Sequence, residues 1–375
     1  MKQKLVLIGG GHSHAIALKQ WGLNPLPNID LILISDVMQT PYSGMLPGHV
    51  AGFYSFEETH INLKSLAEFA GAELILEKAI GLDIEHNQVI VENSQLQFDY
   101  LSLDIGSTPQ TITVAGAAEY AVAAKPVPQF LEAWYTLQKS AASEPTKPLS
   151  IVIVGGGAGG VELALNINAR LERLLPQQSG DTKSIHVIHR GHQLLPGHND
   201  WVSSKLTKIL EQRGIQLYLG QQVTEVFPEG IRCHSGLELK SDRTFWVTQA
   251  TAPNWIRQSA LATDDQGFIL VSDTLQSISH PQILAAGDIA TMINYSRPKA
   301  GVFAVRQGLP LFRNWQRLLL DQPLEEYTPQ DKYLALIGTG DSQAIASWSS
   351  WGARSPLFWW LKDYIDRKFM TQFVI

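Results

Sequence analysis

The hydrophobic residues of this chain fall mostly into short continuous runs, each bounded by glycine or polar residues. Two of these runs, at 4–8 and 150–154, begin the same succession of apolar run, glycine-rich turn, helical stretch and second apolar run. Short continuous apolar runs are typical of parallel strands buried on both faces, and their alternation with helices indicates α/β architecture. The pattern therefore predicts an α/β fold with two Rossmann-like, doubly wound domains and a small C-terminal region.

The turn of the second unit has the complete GxGxxG spacing at Gly155, Gly157 and Gly160, with Gly156 between the first two. Such a turn needs glycine because its backbone adopts unusual angles and approaches a pyrophosphate, while the N-terminus of the next helix presents free N–H groups. Since the spacing directly follows a predicted strand and opens a helix, it predicts a dinucleotide site rather than an ordinary tight turn.

The turn of the first unit departs from this spacing. Gly9, Gly10 and Gly11 are in place, but His14 stands where the third glycine is expected. Two interpretations are open for His12 and His14: they contact phosphate, or they fill space between the helix and the sheet.

The second strand of such a unit normally ends at an acid that holds the ribose hydroxyl groups. In the first unit Ser35 and Asp36 stand at this place, and we favour Asp36. The second unit has His189 and Arg190 there, and no acid. An arginine at this place can pair with a 2′-phosphate, so we expect NADPH to be used at least as well as NADH. The alternative is that Arg190 is a solvated loop cation.

These residues resemble the FAD-dependent pyridine nucleotide–disulfide oxidoreductase superfamily over nearly the whole chain. Two more segments carry the resemblance: 99–106 (DYLSLDIG), which ends at Gly106, and 284–288 (LAAGD), which ends at Asp288. It implies FAD at the first turn, with Asp288 bonded to the ribityl chain, and NAD(P)H as substrate at the second. The implied domains are a FAD-binding domain in 1–110 and 266–320, a linker region in 111–147, an NAD(P)H-binding domain in 148–265, and a C-terminal region with an amphipathic helix in 321–375.

Within the superfamily the chain is similar to type II NAD(P)H:quinone dehydrogenases, and more narrowly to a family found alone or fused N-terminal to selenophosphate synthetase. Three segments carry this similarity: 40–48 (TPYSGMLPG), 155–164 (GGGAGGVELA) and 361–373 (LKDYIDRKFMTQF). The segment 300–307 (AGVFAVRQ) departs from it, because it keeps only the last glutamine of the AQxAxQ-like pattern that those dehydrogenases have near the quinone.

The similarity implies further residues of the FAD site, in a loop beside the flavin ring and at a helix N-terminus directed at the flavin. They are Pro41, Tyr42, Ser43 and Gly44 in the loop, and Lys299, Ala300, Gly301 and Val302 at the helix. A helix N-terminus stabilises the negative charge of reduced flavin, and Lys299 would add a charge or else be an ordinary surface lysine.

The similarity also implies that Glu162 belongs to the NAD(P)H site and faces the nicotinamide–flavin region. We predict that it and Lys299 act in catalysis, with Glu162 anchoring the carboxamide or moving a proton. The alternative is an acid favoured by the helix dipole.

The presence of a single cysteine, Cys233, limits the possible electron acceptors. Disulfide reductases need a cysteine pair, so the expected acceptor is external: a quinone or another small electron acceptor. Three hypotheses follow, namely a quinone reductase, a soluble flavin oxidoreductase with a non-quinone acceptor linked to selenium metabolism, and a flavin-based redox sensor.

The C-terminal segment 356–369 predicts an amphipathic helix. Its apolar side is expected to carry Leu357, Phe358, Leu361, Tyr364, Ile365 and Phe369, and its polar side Lys362, Asp363, Asp366 and Arg367. Tryptophans cluster nearby, which favours an interfacial membrane helix, and a helix that caps the protein's own core is the alternative.

The composition excludes several other classes. A net charge of −6 argues against an electrostatic nucleic-acid binder, and no convincing metal-ligand set is present. Neither a secretory signal nor an apolar window long enough to span a bilayer is visible. We therefore expect a cytoplasmic protein, either free or peripheral on the cytoplasmic membrane face, with a homodimer left open.

Overall fold

The computed structural model describes residues 2–109, 114–175, 183–248 and 250–375. Residues 2–109 form β1 (Gln3–Ile8), α1 (His12–Leu23), β2 (Ile29–Ser35), β3 (Gln39–Pro41), α2 (Leu46–Ala51), α3 (Phe56–Thr59), β4 (His60–Asn62), α4 (Leu63–Ala70), β5 (Glu73–Leu76), β6 (Ala79–Asp83), β7 (Gln88–Val91), β8 (Gln95–Gln97), β9 (Tyr100–Leu103) and β10 (Thr108–Pro109).

Residues 114–248, as far as they are described, form α5 (Ala117–Tyr120), β11 (Ala121–Ala123), α6 (Val127–Ser143), β12 (Leu149–Val154), α7 (Ala158–Leu174), β13 (Lys183–His189), α8 (Asp200–Gln212), β14 (Gln216–Leu219), β15 (Val223–Phe227), β16 (Gly230–Cys233), β17 (Glu238–Lys240) and β18 (Arg243–Trp246). The remainder forms β19 (Ala250–Thr251), α9 (Asn254–Gln258), β20 (Ile269–Val271), β21 (Ile283–Ala285), a 3-10 helix (Gly287–Ile289), β22 (Ala290–Met292), α10 (Gly301–Leu319), β23 (Ala335–Gly338), β24 (Ala344–Trp348), β25 (Trp351–Ser355) and α11 (Pro356–Thr371).

The first sheet has five parallel strands in the order β21–β9–β1–β2–β5. Its central strands are continuous apolar runs whose side chains are almost completely buried, as expected for strands covered on both faces. Because β21 lies far downstream of β9, the chain leaves this sheet and returns to it after the second unit. The helices α1 and α10 pack closely, since a Cβ at Gly308 would lie 2.6 Å from Ile16.

The second sheet also has five parallel strands, in the order β11–β18–β12–β13–β14. The predicted α/β class with two Rossmann-like sheets is therefore confirmed. The expected linker region 111–147 is wrong where it is described, because β11 is an edge strand of this sheet and α6 buries Phe130 and Trp134 in its core. A three-residue strand is too short for its pattern to be recognised. Residues 111–113 lie outside the described part.

The C-terminal region is an antiparallel sheet, β23–β24–β25, followed by α11. Smaller pairings complete the fold: β6–β7–β8, β15–β16–β17, β3–β4, β10–β19 and β20–β22. The end of α11 joins the core of the first sheet through Phe369, Met370 and Phe373. This packing places α11 beside the loop after β3, which the following section describes.

Candidate active site

The first glycine turn follows β1 and leads into α1, whose N-cap is Gly11. Gly9 has a φ of +90°, and a Cβ there would lie 2.5 Å from the backbone oxygen of Asp104. A Cβ at Gly10 or Gly11 would lie 2.4 Å from Leu63 or from the Asp104 carboxyl group, respectively. Side chains are therefore excluded from all three positions, and the backbone of this turn fits the approach of a phosphate ligand.

His14 is completely buried under this turn. Its Nδ1 lies 2.6 Å from the Gly9 carbonyl oxygen and its Nε2 lies 2.8 Å from Ser102 Oγ. Burial lowers the pKa of His14 to about 4, so the ring is neutral. Because both ring nitrogens have protein partners, the geometry favours the second of the two open interpretations for His14. The imidazole instead fills the space between helix and sheet, with Ser102 as its polar partner on β9.

His12 is the first residue of α1. Its ring meets the rings of Tyr42 and Phe369 edge-on, at centroid distances of 5.2 and 6.0 Å. Burial lowers the pKa of His12 to about 4, while the charges of Asp288 and Lys125 act on it in opposite directions. His12 is thus a neutral residue close to the expected flavin loop and to Asp288.

Asp104 lies between the first glycine turn and the turn at Gly287. It is 2% exposed, and its Oδ2 accepts a hydrogen bond from the backbone N–H of His14 at 3.0 Å. Burial raises the pKa of Asp104 to about 7. The sequence offers only a weak signal for this residue, namely an acid that directly follows an apolar strand and lies two residues before Gly106.

The two residues expected to hold the adenosine ribose stand at the end of β2 and differ in their exposure and hydrogen bonding. Ser35 is buried, and its hydroxyl donates to the Val37 carbonyl oxygen at 2.8 Å and accepts from the Val37 N–H at 3.2 Å. Asp36 is exposed at the same strand end. The geometry supports the preference for Asp36, because the Ser35 hydroxyl is used within its own turn.

Asp288 lies in the 3-10 helix after β21 and forms an ion pair with a lysine of the second unit. Lys125 Nζ, just after β11, donates to Asp288 Oδ2 at 2.8 Å and to Ser107 Oγ at 3.3 Å, and Ser107 also donates to Asp288 at 3.1 Å. Lys125 and Ser107 hold the pKa of the Asp288 carboxyl below its ordinary value, although burial opposes them. Gly106 stands beside this group with a φ of +69° and open space at its Cβ position. Lys125 is a residue that sequence analysis misses.

The expected flavin loop is held by α11. Pro41 ends β3, and Tyr42 stacks on Phe369 of α11 at 4.4 Å. The Gly44 carbonyl oxygen accepts a hydrogen bond of 2.6 Å from Lys362 Nζ. Ser43 Oγ lies 3.3 Å from the Cβ position of Gly301, so the loop also meets the start of α10.

The helix expected near Lys299 is α10, which has Ala300 as N-cap and Gly301 and Val302 as its first residues. No side chain caps this N-terminus. Lys299, however, donates to the Ala290 carbonyl oxygen at 2.6 Å and to Thr291 Oγ1 at 2.9 Å, and its ammonium lies 4.0 Å from the Phe268 ring centroid. It is therefore no ordinary surface lysine, but the lysine that contacts Asp288 directly is Lys125.

The second glycine turn joins β12 to α7. Gly155 has a φ of +130°, and a Cβ there would lie 2.1 Å from the Val247 carbonyl oxygen, while a Cβ at Gly160 would lie 1.9 Å from the oxygen of Gly155. At Gly157, the N-cap of α7, nothing lies within 4 Å of the Cβ position. Close packing below and open space at the helix N-terminus fit a dinucleotide pyrophosphate.

His189 and Arg190 stand at the end of β13, beside this turn. His189 Nδ1 accepts a hydrogen bond of 3.3 Å from the N–H of Gly156, so the ring supports the turn from its own side. Burial and the charge of Arg190 lower the pKa of His189. Arg190 is exposed at this position, where a substituent of the nucleotide ribose is expected.

Glu162 lies one turn into α7, where α7 meets the C-terminal region. Its Oε1 accepts a hydrogen bond of 2.8 Å from the Gly338 N–H. Burial raises the pKa of Glu162 to about 7, although the charge of Lys362 acts against this. Lys362 in turn is paired with Asp366 at 2.7 Å. Glu162, Lys362, Asp366 and Gly44 thus connect the NAD(P)H-side helix to the expected flavin loop.

The predicted polar side of the C-terminal helix is wrong for two of its residues. The side chains of Lys362 and Asp366 are only 8% and 6% exposed, because they face Gly44 and Glu162 inside the protein. The side chains directed outward are largely apolar: Leu357, Trp360, Tyr364 and Ile365 on α11, with Trp348 and Trp351 on the adjoining strands. We call these six residues the outer apolar patch. Phe369 is buried, as a core residue.

Two expectations about redox and metal chemistry bear on this site. Cys233 is buried at the end of β16, and burial raises the pKa of its thiol, so it is not a reactive thiolate. Among the residues described, no three His, Cys, Asp or Glu side chains are grouped to hold a metal ion. In the same part of the chain, no helix has the length and apolar character needed to cross a membrane.

The fold and these two turns define a dinucleotide-dependent oxidoreductase with two nucleotide-binding units. The family model for pyridine nucleotide-disulphide oxidoreductases matches residues 3–308. The chain belongs to this family, and it is an oxidoreductase that works with FAD and NAD(P)H.

Named relatives agree with this assignment. The chain is 23% identical over 343 residues to the NADH dehydrogenase-like protein YutJ of Bacillus subtilis, covering 90% of each chain. It is 24% identical over 300 residues to a type II NADH:quinone oxidoreductase of Haemophilus influenzae, covering 73% of this chain and 67% of the relative. The structure of NDH2 from Plasmodium falciparum in complex with NADH aligns with a TM-score of 0.83 at 16% identity, over 100% of this chain and 98% of the other.

Proposed function

We propose that this chain is an NAD(P)H dehydrogenase that transfers a hydride from NAD(P)H to FAD and then passes two electrons to a quinone. The observation that carries the proposal is that the helices after both glycine turns are linked to the loop 41–44. His12 of α1 contacts Tyr42 of this loop and lies within range of the charge of Asp288, while Lys362, which donates to the Gly44 carbonyl oxygen, acts through its charge on Glu162 of α7. FAD supplies the hydride-accepting chemistry when it is bound.

The chain's own residues would divide the work in this site. Gly9–Gly11 and the start of α1 would hold the FAD pyrophosphate, Asp36 the adenosine ribose, and Asp288 the ribityl chain. The open N-terminus of α10 favours negative charge near the flavin. Glu162, with its raised pKa, can hold a proton close to neutral pH beside the expected nicotinamide site, which suits a proton-transfer residue.

A quinone acceptor is supported by three observations. The single cysteine cannot form a disulfide within the chain, so an internal protein disulfide is not the acceptor. Relatives named as NADH:quinone oxidoreductases match over most of their length. The outer apolar patch on α11 adds a surface suited to the lipid phase in which quinones dissolve. We propose that this patch holds the protein at a membrane surface; a homodimer is a further expectation, checked by light scattering.

The test is stopped-flow reduction of the FAD-loaded protein by NADH and by NADPH, followed by reoxidation with a panel of quinones. We expect reduction by either nucleotide and reoxidation by at least one quinone. Reduced protein that no quinone reoxidises would contradict the proposal, and reoxidation by a soluble carrier alone would favour the non-quinone alternative. Reduction that stays slow at saturating NAD(P)H would instead favour the redox sensor.

The same experiment tests the nucleotide preference. Because Arg190 is exposed at the ribose end of β13 and no acid stands there, we expect kcat/KM for NADPH to be at least equal to that for NADH. Arg190→Ala should lower kcat/KM for NADPH by about tenfold, the loss of one charge-assisted contact of 1–2 kcal/mol, and leave NADH unchanged. A wild-type preference for NADH that Arg190→Ala does not alter would reject this assignment.

A further inference from the structure

The carboxyl group of Asp104 lies where the first glycine turn meets the turn at Gly287, both in the part of the chain expected to bind FAD. A Cβ on either Gly11 or Gly287 would lie 2.4 Å from its carboxyl oxygens, so the carboxyl group touches both turns at once. The residue is 2% exposed, and its backbone oxygen also accepts the Gly11 N–H at 3.1 Å. Asp104 is therefore part of the wall of the site proposed for FAD, not a neighbouring surface acid.

The carboxyl group shares a helix N-terminus with the proposed ligand. A dinucleotide pyrophosphate binds to the free N–H groups and the positive dipole end of the helix that follows the glycine turn. Asp104 already accepts the His14 N–H of this helix at 3.0 Å, and Ser13 faces it with both backbone and hydroxyl. An ionised Asp104 and a bound pyrophosphate would thus place like charges at one helix end.

The surrounding groups do not neutralise that charge. Among the residues described, no lysine or arginine is paired with Asp104, since Lys125 is bonded to Asp288 instead. Asp288 itself is negative and raises the pKa of Asp104, and His12 and His14 are neutral. From α10, the amide oxygen of Gln307 is used by the Gly287 N–H at 2.7 Å. Burial raises the pKa of Asp104 to about 7.

We infer that binding of FAD to this chain is coupled to the uptake of one proton by Asp104. The inference rests on the proposed FAD site. The proton comes from solvent, and the neutral carboxylic acid keeps an oxygen that accepts the helix N–H while gaining an O–H donor. Because like charges then no longer meet at the helix N-terminus, the neutral form binds the pyrophosphate more tightly than the ionised form does.

The coupling predicts a specific dependence of FAD affinity on pH. Below about pH 7 Asp104 is already protonated, so the Kd for FAD should change little. Above that pH the Kd should rise by about tenfold per pH unit, which is the slope for one linked proton. Asp104→Asn replaces the acid with a permanently neutral group of the same shape, so its Kd should be independent of pH. At pH 8.5 the variant should bind FAD more tightly than the wild type does, which a purely structural defect could not produce.

The experiment titrates the apoprotein with FAD between pH 6.5 and 8.5, following flavin fluorescence. Calorimetry in two buffers of different ionisation enthalpy counts the protons taken up. Asp30→Asn, an exposed acid paired with Lys2, is the matched control and should keep the wild-type slope. Uptake of close to one proton per FAD at pH 8 by the wild type, and of none by Asp104→Asn, supports the inference.

Three outcomes would overturn it: a wild-type Kd that does not change with pH, a slope that Asp104→Asn retains, or weaker binding by a folded Asp104→Asn at every pH. If Asp104→Asn does not fold, the proton count of the wild type alone decides. Failure of the wild type to bind FAD would reject the proposed function itself. Tight binding and reduction by NADH without proton uptake would reject only the role of Asp104.

Discussion

Lys125 is a single side chain of the second unit that contacts the cofactor turn of the first. Its bond of 2.8 Å to Asp288 places a positive charge beside an acid expected to hold the ribityl chain. A positive charge there stabilises reduced, anionic flavin more than oxidised flavin. We expect Lys125→Met to lower the midpoint potential of bound FAD by about 30 mV, equivalent to about 1.4 kcal/mol for a two-electron couple. Spectroscopic redox titration measures this.

The control for Lys125 is Lys147→Met, which removes an exposed lysine paired with Glu144. It should leave the potential unchanged. Lys125→Arg should restore most of the wild-type potential because it keeps the charge. If Lys125→Met and Lys147→Met have the same potential, Lys125 acts only as a structural tie between the units.

Glu162 gives the stability of the protein a pH dependence whose sign follows from its raised pKa. The folded pKa is about 7 and the ordinary value is 4.5, so between these values the folded chain binds a proton that the unfolded chain has released. The free energy of unfolding therefore falls by up to about 3 kcal/mol on account of Glu162 as the pH rises from about 4.5 to 7. Above pH 7 this contribution does not change further. Glu162→Gln should reduce the loss of stability between pH 5 and 8, as measured by urea unfolding.

Part of that loss persists in Glu162→Gln, because burial also raises the pKa of Asp104. The matched control is Glu172→Gln on the same helix, where the side chain is 54% exposed. This control should keep the wild-type slope. A slope that is identical in the wild type and Glu162→Gln would mean that Glu162 is ionised in the folded protein throughout this range.

Single residues of the site were predictable only where a backbone requirement dictates them. The glycines at 155–160 follow from close packing and open space, so their spacing alone marks the second turn, whereas the first turn lacks the third glycine and was assigned through the resemblance carried by Asp288. His14 was recognisable as an exception, but the choice between phosphate contact and a space-filling ring stayed open, because the partner that decides it, Ser102, is 88 residues away. Lys125 and Asp104 depend on contacts between distant segments, and no local pattern contains such contacts.

At the scale of elements, α11 presents an arrangement opposite to that of an ordinary surface helix. Its paired Lys362 and Asp366 are buried against the loop at Gly44, while four of its apolar residues, Leu357, Trp360, Tyr364 and Ile365, are exposed. Removing one member of a buried ion pair leaves an uncompensated charge, whereas replacing both with apolar residues can be nearly neutral.

We therefore expect Lys362→Met to destabilise the protein by about 3–5 kcal/mol, and Lys362→Met with Asp366→Leu to recover most of this loss. Urea unfolding of both single variants and the double variant gives the coupling. Arg367→Met with Asp363→Leu removes the half-exposed pair on the same helix and should cost less than about 1 kcal/mol. Additive losses at Lys362 and Asp366 would show that the two side chains act independently.

The strands and helices themselves were largely predictable, for a reason that α11 also illustrates. Runs such as β1 and β12 are apolar on both faces, so their burial does not depend on which neighbour covers them. For α11 the spacing correctly predicts a helix with an apolar stripe, but hydrophobic periodicity gives no information about whether that stripe meets the core. The contact of Lys362 with Gly44 decides this, and it joins residues 318 positions apart.

At the scale of the whole molecule, the outer apolar patch lies on the C-terminal region beside the loop expected to hold the flavin ring. Leu357 and Trp360 are 73% and 64% exposed, and Trp360 stacks on Tyr364 at 5.8 Å. Exposed apolar side chains grouped in this way mark an interaction site, and tryptophan and tyrosine favour the membrane–water interface. Since the chain has a net charge of −6, attachment is expected to depend on apolar burial more than on attraction to anionic lipid.

We expect the protein to co-sediment with zwitterionic lipid vesicles and to remain bound at high salt, because salt screens charges but does not weaken apolar burial. Ile365→Ser should weaken vesicle binding by about tenfold, the equivalent of 1–2 kcal/mol for an apolar side chain that is only partly buried by lipid. Ile80→Ser is a matched control, since Ile80 on β6 and Ile365 on α11 are both 45% exposed.

Equal losses in the two variants would show that the apolar contact with lipid is unspecific. Retention of NAD(P)H-driven flavin reduction by Ile365→Ser would separate attachment from catalysis. If neither the wild type nor the variants sediment with vesicles, α11 serves only to hold the loop at Gly44, and the quinone must reach the flavin from solution.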